Sequence, residues 1–195
     1  MLSVYKDHSE LNKGRKLSDY FYFAGEFTLQ EIDKVTTLFD KYEKQDGVIG
    51  DGKLDKNYRK SRIAWLPLQD DTAWIYQKLL NCAKSANEKL WNFQIIGFGE
   101  KLQLTEYQEG DKYDWHMDMG GLMNHRKISI SVQLSHPNTY EGGELEFKLG
   151  TKEEAASKSE GSVTLFPSYL LHRVKPITKG KRMSLICWIS GESWR

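Results

Sequence analysis

The chain has 195 residues, 39% hydrophobic and 28% charged, which suits one packed domain and excludes a disordered polymer. Its 28 Lys+Arg against 27 Asp+Glu leave a formal net charge of +1, without the basic excess of a sequence-independent nucleic-acid binder. Cys82 and Cys187 are too few for a disulfide framework, no run is apolar enough to span a membrane, and no apolar signal segment opens the chain. The expectation is therefore a cytoplasmic protein with neither nucleic acid nor membrane as partner.

In chain order, the first 20 residues are polar and expected to be poorly ordered, and Asp19–Phe27 is a strand-like aromatic run. Thr28-Leu29-Gln30-Glu31 has the form of a capping box, and Leu29, Ile32, Val35, Leu38, Phe39 and Tyr42 then recur at helical spacing, which predicts a helix over 29–44. Residues 45–57, with three glycines, predict a loop; its Asp51 and Asp55 lack the spacing of a calcium-binding loop. Arg62–Leu66 reads as a strand stopped by Pro67. Asp70–Trp91 reads as a second helix with a core stripe of Trp74, Ile75, Leu79, Ala83, Ala86 and Leu90.

From residue 93 the period changes to two. Phe93–Phe98, Lys101–Tyr107, Lys127–Leu134, Glu144–Lys148, Ser162–Phe166 and Met183–Ile189 are strand-like, separated by Gly-rich or Asn/Pro turns that include Lys179-Gly180-Lys181. Leu149–Gly161 reads as a solvent-facing polar loop. The expected fold class is mostly β with flanking helices: an antiparallel sandwich or jelly-roll, cupin-like barrel. Residues 1–92 supply N-terminal strands and two supporting helices, and 93–195 the barrel, in a single domain.

His116 and Asp118 stand two apart, so on a strand they share a face. His172, far downstream, can complete one face of an octahedron. Two imidazoles and one carboxylate with three positions open suit non-haem iron(II) in oxygenases. Arg182 follows across a turn and can reach deep into the barrel, where its guanidinium fork matches a carboxylate such as the far end of 2-oxoglutarate. In Lys127–Leu134, Ser129, Ser131 and Gln133 alternate with apolar residues; the polar set faces either a co-substrate pocket or solvent.

Several segments together carry a resemblance: Tyr107-Gln108-Glu109-Gly110, Tyr113-Asp114-Trp115-His116-Met117-Asp118, Tyr140-Glu141-Gly142-Gly143-Glu144-Leu145, Phe166-Pro167-Ser168, Leu171-His172-Arg173-Val174, Gly180-Lys181-Arg182-Met183-Ser184 and Trp188-Ile189. The segment Leu102–Arg195 resembles the prolyl-4-hydroxylase-like branch of the Fe(II)/2-oxoglutarate dioxygenases, and especially the PKHD-type hydroxylases.

The resemblance implies a double-stranded β-helix. It implies Fe(II) on His116, Asp118 and His172, 2-oxoglutarate on Arg182, O₂ as co-substrate and ascorbate as an optional reductant. Tyr107, Ser184 and Gln133 are candidate partners of 2-oxoglutarate, the alternative for Tyr107 being a half-buried strand aromatic. Tyr113, Trp115 and Trp188, with His125 and Arg126 in the rim loop, are candidates for substrate, the alternative for the aromatics being core packing.

The expected activity is hydroxylation of a peptidyl side chain, proline first, with release of succinate and CO₂. A free amino acid or other small molecule is the rival substrate. A non-catalytic cupin-like metal-binding module is the rival class, and Arg182 with Ser184 argues against it. A nucleic-acid demethylase is disfavoured by Trp188, where that family carries a second Arg.

Overall fold

The computed structural model describes residues 19–49 and 52–194, so the expectations for residues 1–18 and for Asp51 lie outside the described residues. Helix α1 (Leu29–Lys41) follows β1 (Phe21–Phe23) and begins where the capping box places it. The Thr28 hydroxyl accepts from the Glu31 N–H, and the Glu31 carboxylate accepts from the Thr28 N–H at 2.8 Å. Thr28→Ala is expected to lower unfolding stability by about 1 kcal/mol, the usual worth of such a cap, read as a lower urea midpoint at unchanged slope.

The helix stops at Lys41 rather than residue 44, because Tyr42 is extended and Lys44–Asp46 forms a strand, β2. Its partner is β4 (Arg62–Leu66), with Lys44 opposite Ala64, so part of the expected 45–57 loop is recruited by a strand that local sequence cannot reveal. Helix α2 spans Ala73–Leu90 rather than Asp70–Trp91. Before it, the Thr72 hydroxyl bonds the carbonyls of Pro67 and Gln69 and the Gln69 N–H, holding a turn.

The later strands are β3 (Arg59–Lys60), β5 (Ile95–Phe98), β6 (Leu102–Tyr107), β7 (Lys112–His116), β8 (Arg126–Gln133), β9 (Tyr140–Gly142) and β10 (Leu145–Leu149), then β11 (Lys152–Ala155), β12 (Val163–Pro167), β13 (His172–Val174), β14 (Ile177–Gly180) and β15 (Arg182–Gly191). Among the described residues they form a major antiparallel sheet in the order β1-β12-β8-β15-β6-β4-β2, with β5 on the end of β15. A smaller sheet runs β11-β10-β13-β7-β3, and β14 pairs β9. The expected Leu149–Gly161 loop contains β11, whose four residues are all exposed, and the expected 179–181 turn holds the end of β14.

Alternation decides which face of the major sheet does what. Leu102, Leu104, Ile128, Ile130, Val132, Leu185 and Cys187 pack in one cluster with Val35 and Phe39 of α1 and Ile75, Leu79 and Ala83 of α2. In register on the opposite face run Tyr107 beside Arg182, Thr105 and Gln133 beside Ser184, and Ser129 beside Trp188. That second face meets the smaller sheet, where Tyr107 and Phe166 pack with Phe147, Leu145 and Val174. The result is the jelly-roll barrel, with the polar set of β8 turned inward. No helix among the described residues is long and apolar enough to cross a membrane.

Candidate metal centre and its cavity

Strands β7 and β13 pair so that His172 lies opposite His116, and an irregularity follows before Val174 meets Tyr113. The two imidazoles are therefore neighbours, with ring centroids 4.2 Å apart. The shift also brings Tyr113 to the His116 side, its ring stacked on the imidazole at 3.4 Å.

Asp118 is not on the strand, as the spacing rule required; β7 ends at His116. Convergence comes instead from the Ser168 carbonyl, which accepts the N–H groups of Asp118 and Met119 at 3.0 and 3.2 Å and curls the chain back. The Asp118 carboxylate then sits 3.7 Å from His116 Nε2 and 3.5 Å from His172 Nε2, and one donor atom from each residue lies within 4.8 Å of the others.

The supporting bonds fix which atoms face inward. His116 Nδ1 lies 2.7 Å from the Asp114 carbonyl and His172 Nδ1 2.8 Å from the Leu170 carbonyl. A carbonyl can only accept, so each Nδ1 carries the proton and each Nε2 turns a lone pair to the centre. Ser129 Oγ donates to Asp118 Oδ2 at 2.6 Å, and Ser168 Oγ, 3.0 Å from Ser129 Oγ, is left to donate to it. Burial by itself would raise the Asp118 carboxyl, but His172, His116, Arg126 and the Ser129 hydroxyl outweigh it and hold it at about 2. Burial pushes the His116 imidazole down to about 3. A carboxylate and a neutral imidazole at neutral pH are the ligand forms a divalent cation takes.

Groups that orient ligands through such bonds are typically worth about 10- to 100-fold in metal affinity. Ser129→Ala is expected to weaken metal binding by that factor, measured by titration with Fe(II) or Mn(II), while Ser129→Thr retains most of it.

The centre opens into a cavity of about 430 Å³. Arg182 lines it and is 4% exposed. Its Nε donates to Gln133 Oε1 at 3.1 Å, its Nη1 reaches Ser184 Oγ at 3.4 Å, and the Tyr107 ring lies 5.9 Å away. Gln133 and Ser184 thus touch the guanidinium rather than the cavity wall, whereas Tyr107 is on the wall, its phenol kept neutral by burial. No carboxylate among the described residues pairs with Arg182, so a buried cation faces the cavity uncompensated.

Of the expected substrate residues, Tyr113, Trp188 and Arg126 line the cavity. Arg126 lies 3.7 Å over the Trp188 ring, is held bidentately by Glu100 at 2.6 and 2.6 Å, and donates to the Asp118 carbonyl at 3.0 Å. Trp115 and His125 are not brought there. Trp115 follows Asp114 and precedes His116 on the strand, and its ring packs under Arg173 at 4.4 Å and Lys148 at 5.5 Å. His125 bonds Ser190 Oγ at 2.9 Å. Sequence reasoning missed Glu100 and Arg59. Arg59 is 6% exposed, lines the cavity, lies 4.6 Å from the Tyr113 ring and donates to the Val48 carbonyl. Nothing in their local sequence marks either residue; both reach the cavity through long-range pairing.

The model of the 2OG-Fe(II) oxygenase superfamily matches residues 102–190. Over that segment, less than half of the chain, the protein is similar to members of the superfamily, and in sequence to the PKHD-type hydroxylases. It is 37% identical over 91 residues to a PKHD-type hydroxylase of Idiomarina loihiensis, a match covering 46% of this chain and 41% of that relative. To one of Gloeothece citriformis it is 28% identical over 165 residues, covering 82% and 72%. In fold it resembles a Trichoplax adhaerens prolyl hydroxylase, solved with a hypoxia-inducible-factor peptide fragment, at TM-score 0.77 and 18% identity over 94% of this chain and 87% of that one. A Pseudomonas putida prolyl-4-hydroxylase gives TM-score 0.71, 18% identity, and coverage of 90% and 94%.

Proposed function

We propose that this chain hydroxylates a peptidyl side chain, prolyl first, with iron(II) on His116, Asp118 and His172 and the far carboxylate of 2-oxoglutarate on Arg182, releasing succinate and CO₂. The observation that carries the reading is a buried guanidinium, without a carboxylate partner among the described residues, in the same cavity as three convergent metal donors. The donor set fits the metal, with two Nε2 lone pairs and an ionised carboxylate aimed at one point and their outer atoms already bonded.

When bound, iron(II) with 2-oxoglutarate and O₂ supplies the oxidising power to hydroxylate an unactivated C–H bond. The protein supplies position. Gln133 and Ser184 hold the Arg182 fork so that it meets a carboxylate without reorganising. The neutral Tyr107 phenol beside it offers a hydroxyl donor. Phe166, Leu145 and Ile186 give the walls an apolar surface. Tyr113 and Trp188 line the cavity with flat rings, the first stacked on the His116 imidazole and the second under the Arg126 guanidinium. The peptide-bound prolyl hydroxylase of the same fold supports a peptide as substrate.

The test is succinate release with Fe(II), 2-oxoglutarate and a panel of proline-containing peptides, with mass spectrometry of the peptides. Peptides gaining one oxygen atom in step with succinate are the expected result. Bound metal with no succinate at all would leave a passive metal-binding module.

A further inference from the structure

Beside the metal cavity lies an open groove lined by Trp65, Pro67, Leu68, Tyr76, Phe98 and Lys101. It shares Trp65 and Glu100 with the cavity, so the two concavities are continuous across these residues. Strand β4 carries the wall from one to the other. Ile63 and Trp65 face the cavity, Leu66 turns into the core at 0% exposure, and Pro67 and Leu68 emerge in the groove.

The groove floor is apolar and firm. The Phe98 ring stands edge-on to Tyr76 at 4.9 Å, and the Tyr76 hydroxyl donates to the Leu66 carbonyl at 2.8 Å. Leu68 is 65% exposed. A large apolar side chain at the lip of an apolar groove, beside charged Lys101 and Glu100, is the composition of a binding surface. Its continuity with the cavity selects the occupant. A small molecule reacting at the metal ends inside the cavity, whereas a chain whose reacting residue sits there extends beyond it, and the groove past Trp65 adjoins the cavity. A nucleic-acid strand would need cations along its path. Among the described residues, Lys101 is the one basic residue lining the groove, and Glu100, at the junction, is acidic.

We propose that this groove is a specificity subsite for the substrate peptide, taking an apolar side chain of leucine or aromatic type. The subsite lies within three residues of the hydroxylated position, on one side of it. This assignment rests on the peptidyl reading above and adds to it which neighbours of the target residue are selected.

The test compares the wild type with Leu68→Asp on synthetic peptides having one central proline, with leucine or aspartate placed in turn at each of the three positions on either side. Because Leu68 is mostly exposed, the variant is expected to melt as the wild type does and to release succinate at the same peptide-free rate. In the wild type, leucine at one of the three positions on one side is expected to lower KM about tenfold relative to aspartate, the worth of partly burying that side chain. Leu68→Asp is expected to erase the difference without changing kcat.

Hydroxylation with the same KM for every peptide, or a preference that survives Leu68→Asp, overturns the subsite and leaves the peptidyl reading standing. Succinate release with no peptide hydroxylated, or competition by a single-stranded oligonucleotide instead of by leucine peptides, removes the peptidyl reading and the subsite together, the oxygenase class remaining.

Discussion

Replacing Arg182 by alanine is expected to raise the 2-oxoglutarate concentration for half-maximal succinate release by about 10²-fold while metal binding stays within about twofold of the wild type. A charge-assisted, bidentate contact contributes on the order of 1.5–3 kcal/mol, and each 1.4 kcal/mol is a factor of ten. Arg182→Lys keeps the charge and loses the fork, so an intermediate loss of about tenfold is expected. The stability of the metal-free protein separates this role from a structural one. Arg182 is 4% exposed, has no acidic partner among the described residues, and is held by one amide oxygen and one hydroxyl. An uncompensated buried cation costs stability, so in the absence of 2-oxoglutarate the alanine variant should melt no lower than the wild type. An unchanged 2-oxoglutarate requirement would break the assignment.

The readable parts of the fold were those in which a local rule and the tertiary context agree. The Thr28–Glu31 cap is made entirely by neighbours, so it appears where the sequence puts it. The alternation of Ser129, Ser131 and Gln133 with apolar residues survives because β8 is central, with helices against one face and the barrel interior against the other. Local reading fails where a distant partner decides. Lys44–Asp46 carries no strand signal and is a strand because β4 offers an edge. Asp118 reaches the metal centre through two hydrogen bonds to Ser168, a residue of another segment, although the two-residue spacing suggested a simpler route.

The site shows the same division. His116, Asp118, His172 and Arg182, singled out by residue type and order, come together in one cavity. Trp115, chosen for its ring, was misplaced by its position next to His116 on a pleated strand, which turns neighbouring side chains to opposite faces. Glu100 and Arg59 were missed because each acts through a partner remote in sequence: Arg126 for the first, and for the second Tyr113 and the Val48 carbonyl.

Asp118→Ala and His116→Ala are each expected to lose iron and all measurable succinate release. Removing one of three donors from a face of two nitrogens and one carboxylate must cost more than the roughly 10- to 100-fold attributed to orienting groups, so an affinity loss greater than about 10²-fold is expected. The loss has a readout independent of turnover. A ligand at about 100 times its Kd stabilises the folded state by about 2.7 kcal/mol, so Fe(II) or Mn(II) should raise the melting temperature of the wild type and leave that of either variant unmoved. The metal-free variants themselves should fold, because each substitution removes a buried polar group from the cavity lining rather than a block of core. His125→Ala and His136→Ala serve as controls. The first imidazole is engaged by Ser190, and the second accepts from the Asn138 N–H at 3.2 Å, so both variants should keep the metal-induced shift. A metal-induced shift that persists in Asp118→Ala and disappears in His125→Ala would place the cation elsewhere and undo the assignment of all three ligands.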